Sequence, residues 1–250
     1  MKGDFKLDFG DDDELQHPSD LTVTREGDLA IADCGQLGVK LFTAYGTFIS
    51  QFGNEDVFSL PISLTTDQLR RLIVLDQDRQ RITIHSSTNG ELLRDISIAN
   101  IETPQMVNYH SHKLYISDFQ HDTVHIHTLK DGELNHVAQL SAHGDIHTDA
   151  HFLDCSGTAI DASGNLLVSD MAVDRIHCVT AHGEMSYVVA SGQQFLHPTN
   201  IAVSPNGLLA VANQANYIIE SPEGGDDALE LEEAPLGNHV CLYRIVKADV

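Results

Sequence analysis

Residues 17–53 read HPSDLTVTREGDLAIADCGQLGVKLFTAYGTFISQFG. Four short apolar segments alternate here with turn residues, as is typical of consecutive antiparallel strands. The second segment, LAIAD at 29–33, is apolar at nearly every position and ends in an acid. Such a run indicates a strand that is buried on both faces, so its sheet must be packed between two neighbours.

The same pattern recurs at 60–97, 103–140 and 154–190, and again in the region that begins at 197. The acid that ends the second segment recurs with spacings of 43, 42, 52 and 43 residues, at Asp33, Asp76, Asp118, Asp170 and finally Asn213. Repeats of about 40 residues with four strands each are the signature of β-propeller blades. A helical repeat is the alternative, and the β-branched strands and turn glycines disfavour it. The sequence therefore predicts an all-β fold, a β-propeller of four-stranded blades.

We expect one propeller domain over residues 1–250, with five countable blades. Their predicted bounds are 17–53, 57–98, 101–141, 153–190 and 195–247, with loop insertions at 141–152 and 217–237. The first residues, GDFKLDFG at 3–10, resemble the fourth strand GTFISQFG at 46–53. We therefore predict that 3–10 completes the fifth blade and closes the ring without an exposed sheet edge. The alternative is that 3–10 belongs to a preceding blade that this chain does not contain.

The charge of the chain restricts its partners. Thirty-seven acids face 14 Lys and Arg, a net charge of -23, and residues 131–243 hold 16 acids and one base. Such a surface repels nucleic acid and anionic lipid. We expect a protein substrate or adaptor with a basic surface, no nucleic acid and no membrane. With four cysteines, none at Cys-x-x-Cys spacing, and no apolar leader, we expect a cytoplasmic location.

The repeat pattern of proline, apolar strand, glycine and a second strand ending in LAIAD or LLVSD resembles an NHL repeat. GNHVCLYRI at 237–245 resembles the Asn-His-Arg-Val-like turn of that repeat. The stretches at 154–179 and 197–212 are similar to the final blades of tripartite-motif ubiquitin ligases that carry a C-terminal NHL domain. The resemblance covers nearly the whole chain. It implies a non-catalytic propeller for target recognition, joined in the family to a RING finger, B-box and coiled coil, none of which is in this sequence. NHL propellers usually have six blades, and five are counted here.

In a four-stranded blade, the loop between strands two and three lies on the same face as the link to the next blade. We call this the top face, and we predict that it binds the partner, because loops on a rigid scaffold carry function. The alternative is that the loops are solvated insertions, which cost little. The predicted contact residues are Asp12, Asp13, Gln77, Arg79, Arg81, His121, Asp122, His147, Asp174, Arg175, Glu220, Asp226, Asp227 and Glu232.

Three other functions are disfavoured. His143, His147 and His151 are spaced four apart, but they match no zinc-enzyme motif. A gluconolactonase-type propeller hydrolase would use the recurring aspartates to hold a divalent cation in its channel, whereas a repeated acid more often caps its own turn. RNA binding, known among NHL domains, needs basic and stacking residues, and this chain has no Trp. We therefore predict no catalytic residue, no metal site and no cofactor.

Overall fold

The computed structural model describes residues 15–141, 152, 154–180, 185–190, 197–204, 206–214 and 239–244. The chain divides into two compact units, Met1–Phe152 and Leu153–Val250. Within the described residues, the one helix is a single 3-10 turn, Met171–Val173. No helix in those residues is long and apolar enough to cross a membrane.

The first unit contains three four-stranded antiparallel sheets, each with its strands paired in chain order. These sheets are blades 1 to 3. Blade 1 consists of β1 (Pro18–Val23), β2 (Leu29–Asp33), β3 (Gly38–Phe42) and β4 (Phe48–Phe52). Blade 2 consists of β5 (Pro61–Thr66), β6 (Arg71–Asp76), β7 (Arg81–Ser86) and β8 (Leu92–Ser97). Blade 3 consists of β9 (Pro104–His110), β10 (Lys113–Asp118), β11 (Thr123–Lys130) and β12 (Glu133–Ser141).

The second unit contains blade 4 and the described part of blade 5. Blade 4 consists of β13 (Cys155–Ile160), β14 (Leu166–Asp170), β15 (Arg175–Val179) and β16 (Met185–Ala190). Blade 5 has three described strands, β17 (Pro198–Val203), β18 (Leu208–Asn213) and β19 (His239–Arg244). The predicted closing strand at 3–10 and the insertion at 217–237 lie outside the described residues, so closure of the ring stays a prediction. The predicted all-β fold with propeller blades is confirmed.

The second strand of blade 2 is apolar because it has neighbours on both faces. Ala30 of β2 lies opposite Leu41 of β3, and this face packs against Leu72 of blade 2. The other face of blade 2 carries Ile73, which packs against a cluster that includes Leu114 of blade 3. Alternate residues of a strand point to opposite faces, so a strand covered on both sides loses the usual alternation of polar and apolar residues.

Candidate protein-interaction face

The top-face loops of blades 1 to 4 share one construction. Each loop has four residues between the second and third strands, at 34–37, 77–80, 119–122 and 171–174. The last residue of each loop is left-handed, with φ of 50°, 45°, 49° and 53° at Leu37, Gln80, Asp122 and Asp174. A short loop with a repeated backbone conformation presents its side chains from a fixed platform.

The aspartate before each loop fixes that platform. In blade 1, Oδ1 of Asp33 accepts a hydrogen bond from the backbone N–H of Gly35 in the loop at 3.0 Å. The same carboxylate accepts N–H bonds from the segment that enters the blade, from Gln16 at 2.9 Å and His17 at 3.0 Å. Burial alone would raise the pKa of Asp33, but these N–H groups and the Lys40 ammonium hold it below its ordinary value.

We call this arrangement the aspartate clasp: the aspartate that precedes the loop accepts N–H bonds from the segment that enters the blade. It recurs in the next three blades. Asp76 accepts from the N–H groups of Ser59 and Leu60, each at 3.0 Å. Asp118 accepts from Glu102 and Thr103, each at 3.1 Å, and Asp170 accepts from Asp154 at 3.2 Å. The predicted capping of the loop is confirmed in blades 1 to 3, where loop N–H groups at Gly35, Arg79 and Gln120 donate to the aspartate. The clasp on the entering segment was missed, although its constant separation of 15 to 17 residues was visible in the repeat.

In blades 1, 3 and 4, a lysine or histidine side chain of the third strand lies close to the aspartate that precedes the loop. Lys40 Nζ lies 3.4 Å from Asp33 Oδ2. His125 Nε2 lies 3.8 Å from Asp118, and His177 Nε2 lies 3.3 Å from Asp170. Each of these partners follows its aspartate by seven residues. That spacing places both side chains on one face of the blade, and it was the overlooked signal for these pairs.

Three predicted contact residues of blade 2 hold neighbouring segments together. Arg79 donates to the backbone carbonyls of residues 55, 56 and 57, at 2.7, 2.8 and 3.0 Å. Arg81 donates to the Val57 carbonyl and to the Asp95 carboxylate. Gln77 Nε2 donates to the Pro104 carbonyl of blade 3 at 2.9 Å. The link between blades 1 and 2 therefore accepts three hydrogen bonds from Arg79 and one from Arg81, whose other partner, Asp95, lies in β8.

The remaining described contact residues differ in their surroundings. His121 is 47% exposed, and its Nδ1 lies 3.1 Å from Asp118 Oδ2. That hydrogen bond raises the pKa of His121. Asp122 ends its loop in the left-handed conformation, and Arg175 begins β15. Asp174 accepts a hydrogen bond from the His197 N–H at 2.6 Å, which ties blade 4 to blade 5 within the second unit. Seven predicted contact residues lie outside the described residues: Asp12, Asp13, His147, Glu220, Asp226, Asp227 and Glu232.

Exposed carboxylates dominate the described top face of the first unit. Glu55, Asp56, Asp78 and Glu102 are exposed there. Phe119 adds an apolar side chain that is 39% exposed. The two positive charges of Arg79 and Arg81 are balanced by the Asp76 and Asp95 carboxylates, which lie within 4.0 Å of them, so they do not offset the exposed acids. This face has the charge that a basic surface would complement.

Three histidine rings of blade 3 pack against one another. The ring centres of His125 and His127 are 6.3 Å apart, and those of His127 and His136 are 5.4 Å apart. Among the residues that the structure describes, no three His, Cys, Asp or Glu side chains are grouped so as to hold a metal ion. The His143, His147 and His151 run lies outside those residues.

No protein-family model and no curated protein matches the chain in sequence. Solved structures match it in fold. A catalytically inactive virginiamycin B lyase from Staphylococcus aureus, with quinupristin, aligns with a TM-score of 0.57 and 16% identity over 76% of this chain. The β-propeller domain of Myceliophteria thermophila Cps50 (Swd1) aligns with a TM-score of 0.59 and 16% identity, covering 80% of this chain and 63% of that domain. A Bacteroides caccae protein of unknown function has a TM-score of 0.59 and 12% identity, covering 79% of this chain and 70% of that one.

The chain spans 61% of the length of that lyase. At these identities the likeness shows the fold alone, which is a β-propeller. The NHL repeat and the tripartite-motif ligase stay predictions that come from the resemblance of the sequence.

Proposed function

We propose that this chain is a protein-binding propeller and that its top face holds a basic surface of a partner protein. The support is the construction of that face. The buried aspartates, the left-handed loop ends, and the hydrogen bonds of Arg79 and Arg81 to neighbouring segments fix its backbone before a partner arrives. A preorganised face loses little conformational entropy on binding, so more of the contact energy appears as affinity.

The observation that carries the proposal is the charge of the described top face. Glu55, Asp78 and Glu102 are exposed, while the charges of Arg79 and Arg81 are balanced by Asp76 and Asp95. Complementary charge raises the rate of association and selects against partners of the same sign. The acids of the 217–237 insertion add to the same expected preference.

We further propose that the propeller is the non-catalytic target-recognition part of a RING-type ubiquitin ligase of the tripartite-motif class, acting in the cytoplasm. The support is the resemblance of the repeats and of GNHVCLYRI at 237–245 to NHL sequences. The complete transcript tests this part. A RING finger and B-box encoded upstream would support it, and a complete reading frame without them would overturn it.

The binding proposal is tested by surface plasmon resonance with an immobilised lysine-rich peptide. The variant Glu55→Gln/Asp78→Asn/Glu102→Gln neutralises the top face. Its control, Glu26→Gln/Glu91→Gln/Glu133→Gln, removes the same charge elsewhere. We expect association to slow about fivefold for the top-face variant only, and more at low salt than at high salt. Equal slowing of both variants would mean that the overall charge acts, and would overturn the proposal.

A further inference from the structure

A cleft of about 710 Å³ lies between blades 2 and 3 on the bottom face, opposite the predicted contact loops. The bottom face carries the turns between strands one and two and between strands three and four of each blade. The charged residues that line the cleft are Arg71, Arg94, Lys130 and one acid, Asp131, and the Tyr109 and His112 rings lie beside them. A net cationic cleft is unexpected in a chain whose net charge is -23.

The three cations are not equivalent. Arg71 is neutralised by Asp67, whose Oδ2 accepts hydrogen bonds from Nη2 at 2.6 Å and Nε at 2.7 Å. Within the described part of the chain, neither Arg94 nor Lys130 has a carboxylate within ion-pair distance. One carboxylate, Asp131, also lines the cleft, outside ion-pair distance of both cations. The cleft therefore keeps a net positive charge, although acids outnumber bases more than twofold in the chain.

The guanidinium group of Arg94 is held in place before a ligand arrives. Its Nη1 donates to the Leu93 carbonyl at 2.7 Å. Its Nε lies against Gly132, where an added Cβ would be only 2.6 Å away. Gly132 also has a φ of 83°, a conformation that glycine adopts without strain. The turn of blade 3 thus leaves room for the arginine of blade 2 and positions it.

Apolar side chains lie beside these cations. Leu69 is 64% exposed at the turn of blade 2, and Leu93 and Leu129 also line the cleft. The Tyr109 hydroxyl bonds to the backbone of His112, and Gln68 Nε2 lies 2.9 Å from a nitrogen of the His112 ring. The walls are therefore fixed by internal hydrogen bonds, and an exposed leucine stands next to two unpaired cations.

We propose that this bottom-face cleft binds an acidic peptide segment of a partner protein, with a carboxylate on Arg94 and Lys130 and a neighbouring apolar side chain on Leu69 and Leu93. Guanidinium binds carboxylate through two parallel hydrogen bonds, which orients the peptide as well as attracting it. The proposal does not rest on the top-face function, because it concerns the opposite face and a partner of the opposite charge.

The probe is a fluorescein-labelled peptide, Gly-Leu-Glu-Leu-Glu-Gly, measured by anisotropy at about 0.15 M salt, where the overall charge is screened beyond ~8 Å. The cleft variant is Arg94→Gln/Lys130→Gln. The matched control is Arg25→Gln/Arg70→Gln, which removes two cations from the same face outside the cleft. We expect saturable binding by the wild type and by the control. We expect at least about a tenfold weaker Kd for the cleft variant, and no binding of the peptide with Gln in place of Glu.

Hydrogen exchange locates the complex. The peptide should protect residues 129–132 at the turn of blade 3, and melting curves of both variants should match the wild type. Equal weakening of the cleft and control variants, or no saturable binding of the Glu peptide, would overturn the proposal. Tighter binding of free 4-phenylbutyrate than of the peptide would also overturn it, because the site would then belong to a small organic acid.

Discussion

Lys40 and Asp33 form an ion pair that is almost completely buried, with side chains 2% and 0% exposed and 3.4 Å between Nζ and Oδ2. The pair joins two adjacent strands of blade 1 beneath a top-face loop. Removing the ammonium leaves a buried carboxylate that is balanced only by backbone N–H groups. Breaking such pairs by removing one partner is costly.

We therefore predict that Lys40→Met lowers the free energy of unfolding by about 3 kcal/mol, measured by urea titration at pH 7. Methionine keeps the apolar stem, so the loss reports the charge. Lys113→Met is the control, since Lys113 is half-buried and starts β10. The control should change stability by less than about 0.5 kcal/mol. A loss below 1 kcal/mol for Lys40→Met would show that the N–H groups alone satisfy Asp33.

The aspartate clasp gives a second prediction. In Asp118→Asn one oxygen becomes an NH2 group, which cannot accept the N–H bond from Glu102 or Thr103. We expect a loss of about 2–3 kcal/mol in the free energy of unfolding. Asp131→Asn changes the same atoms at an exposed, left-handed position of the same blade, which asparagine tolerates, and should be nearly neutral. Similar losses in both variants would contradict a special role for the clasp.

Low pH should destabilise the folded protein at blade 3, where the rings of His125, His127 and His136 pack together. His127 is 5% exposed, and burial together with His136 and His125 lowers its pKa from 6.5 to about 4. Between these values the unfolded chain binds a proton that the folded chain excludes, so stability falls as the pH drops from 6.5 to 4. The full loss from this group is about 3 kcal/mol.

The test compares urea unfolding at pH 7 and pH 4.5. His127→Leu should lose about 2 kcal/mol less than the wild type between the two pH values, because its side chain does not titrate. His17→Leu, at an exposed position, should follow the wild type. If His127→Leu kept the full pH dependence, other groups would account for the acid sensitivity.

Alanine substitutions at two glycines distinguish the stability cost of steric crowding from the cost of backbone strain. Gly53 has a φ of 90°, and an added Cβ would lie 2.4 Å from the Phe58 ring. Gly27 has a φ of 89° with no atom within 4 Å of that position. We predict that Gly27→Ala costs about 1 kcal/mol from the left-handed backbone alone, and that Gly53→Ala costs at least about 2 kcal/mol more. Equal Tm values for the two variants would contradict this.

Much of the fold could be predicted from the sequence, because the repeat superimposes several weak signals. LAIAD predicts a doubly covered strand, and β2 ends at Asp33 as the pattern required. Part of the role of that acid was also predictable, since aspartate often caps a turn. The repeat could not show that Arg79 and Arg81 donate hydrogen bonds to the link before blade 2. That outcome depends on how closely the link approaches the loop.

The bottom-face cleft was also out of reach of the sequence. Arg94 and Lys130 are 36 residues apart and belong to different blades. Only the stacking of one sheet on the next brings them to the same opening. In the sequence, Arg94 counts as one of several blade 2 bases, and the strong overall acidity conceals a local excess of positive charge.

The short reach of the aspartate clasps bears on how the chain folds. Each clasp joins an aspartate side chain to backbone N–H groups 15 to 17 residues earlier in the chain, whereas the hydroxyl of Ser19 reaches 42 residues ahead to the Pro61 carbonyl. Contacts of short sequence separation form first, because closing a short loop costs the least entropy. Each blade can therefore organise itself soon after it leaves the ribosome and become the surface on which the next blade condenses. The order of synthesis then becomes the order of assembly.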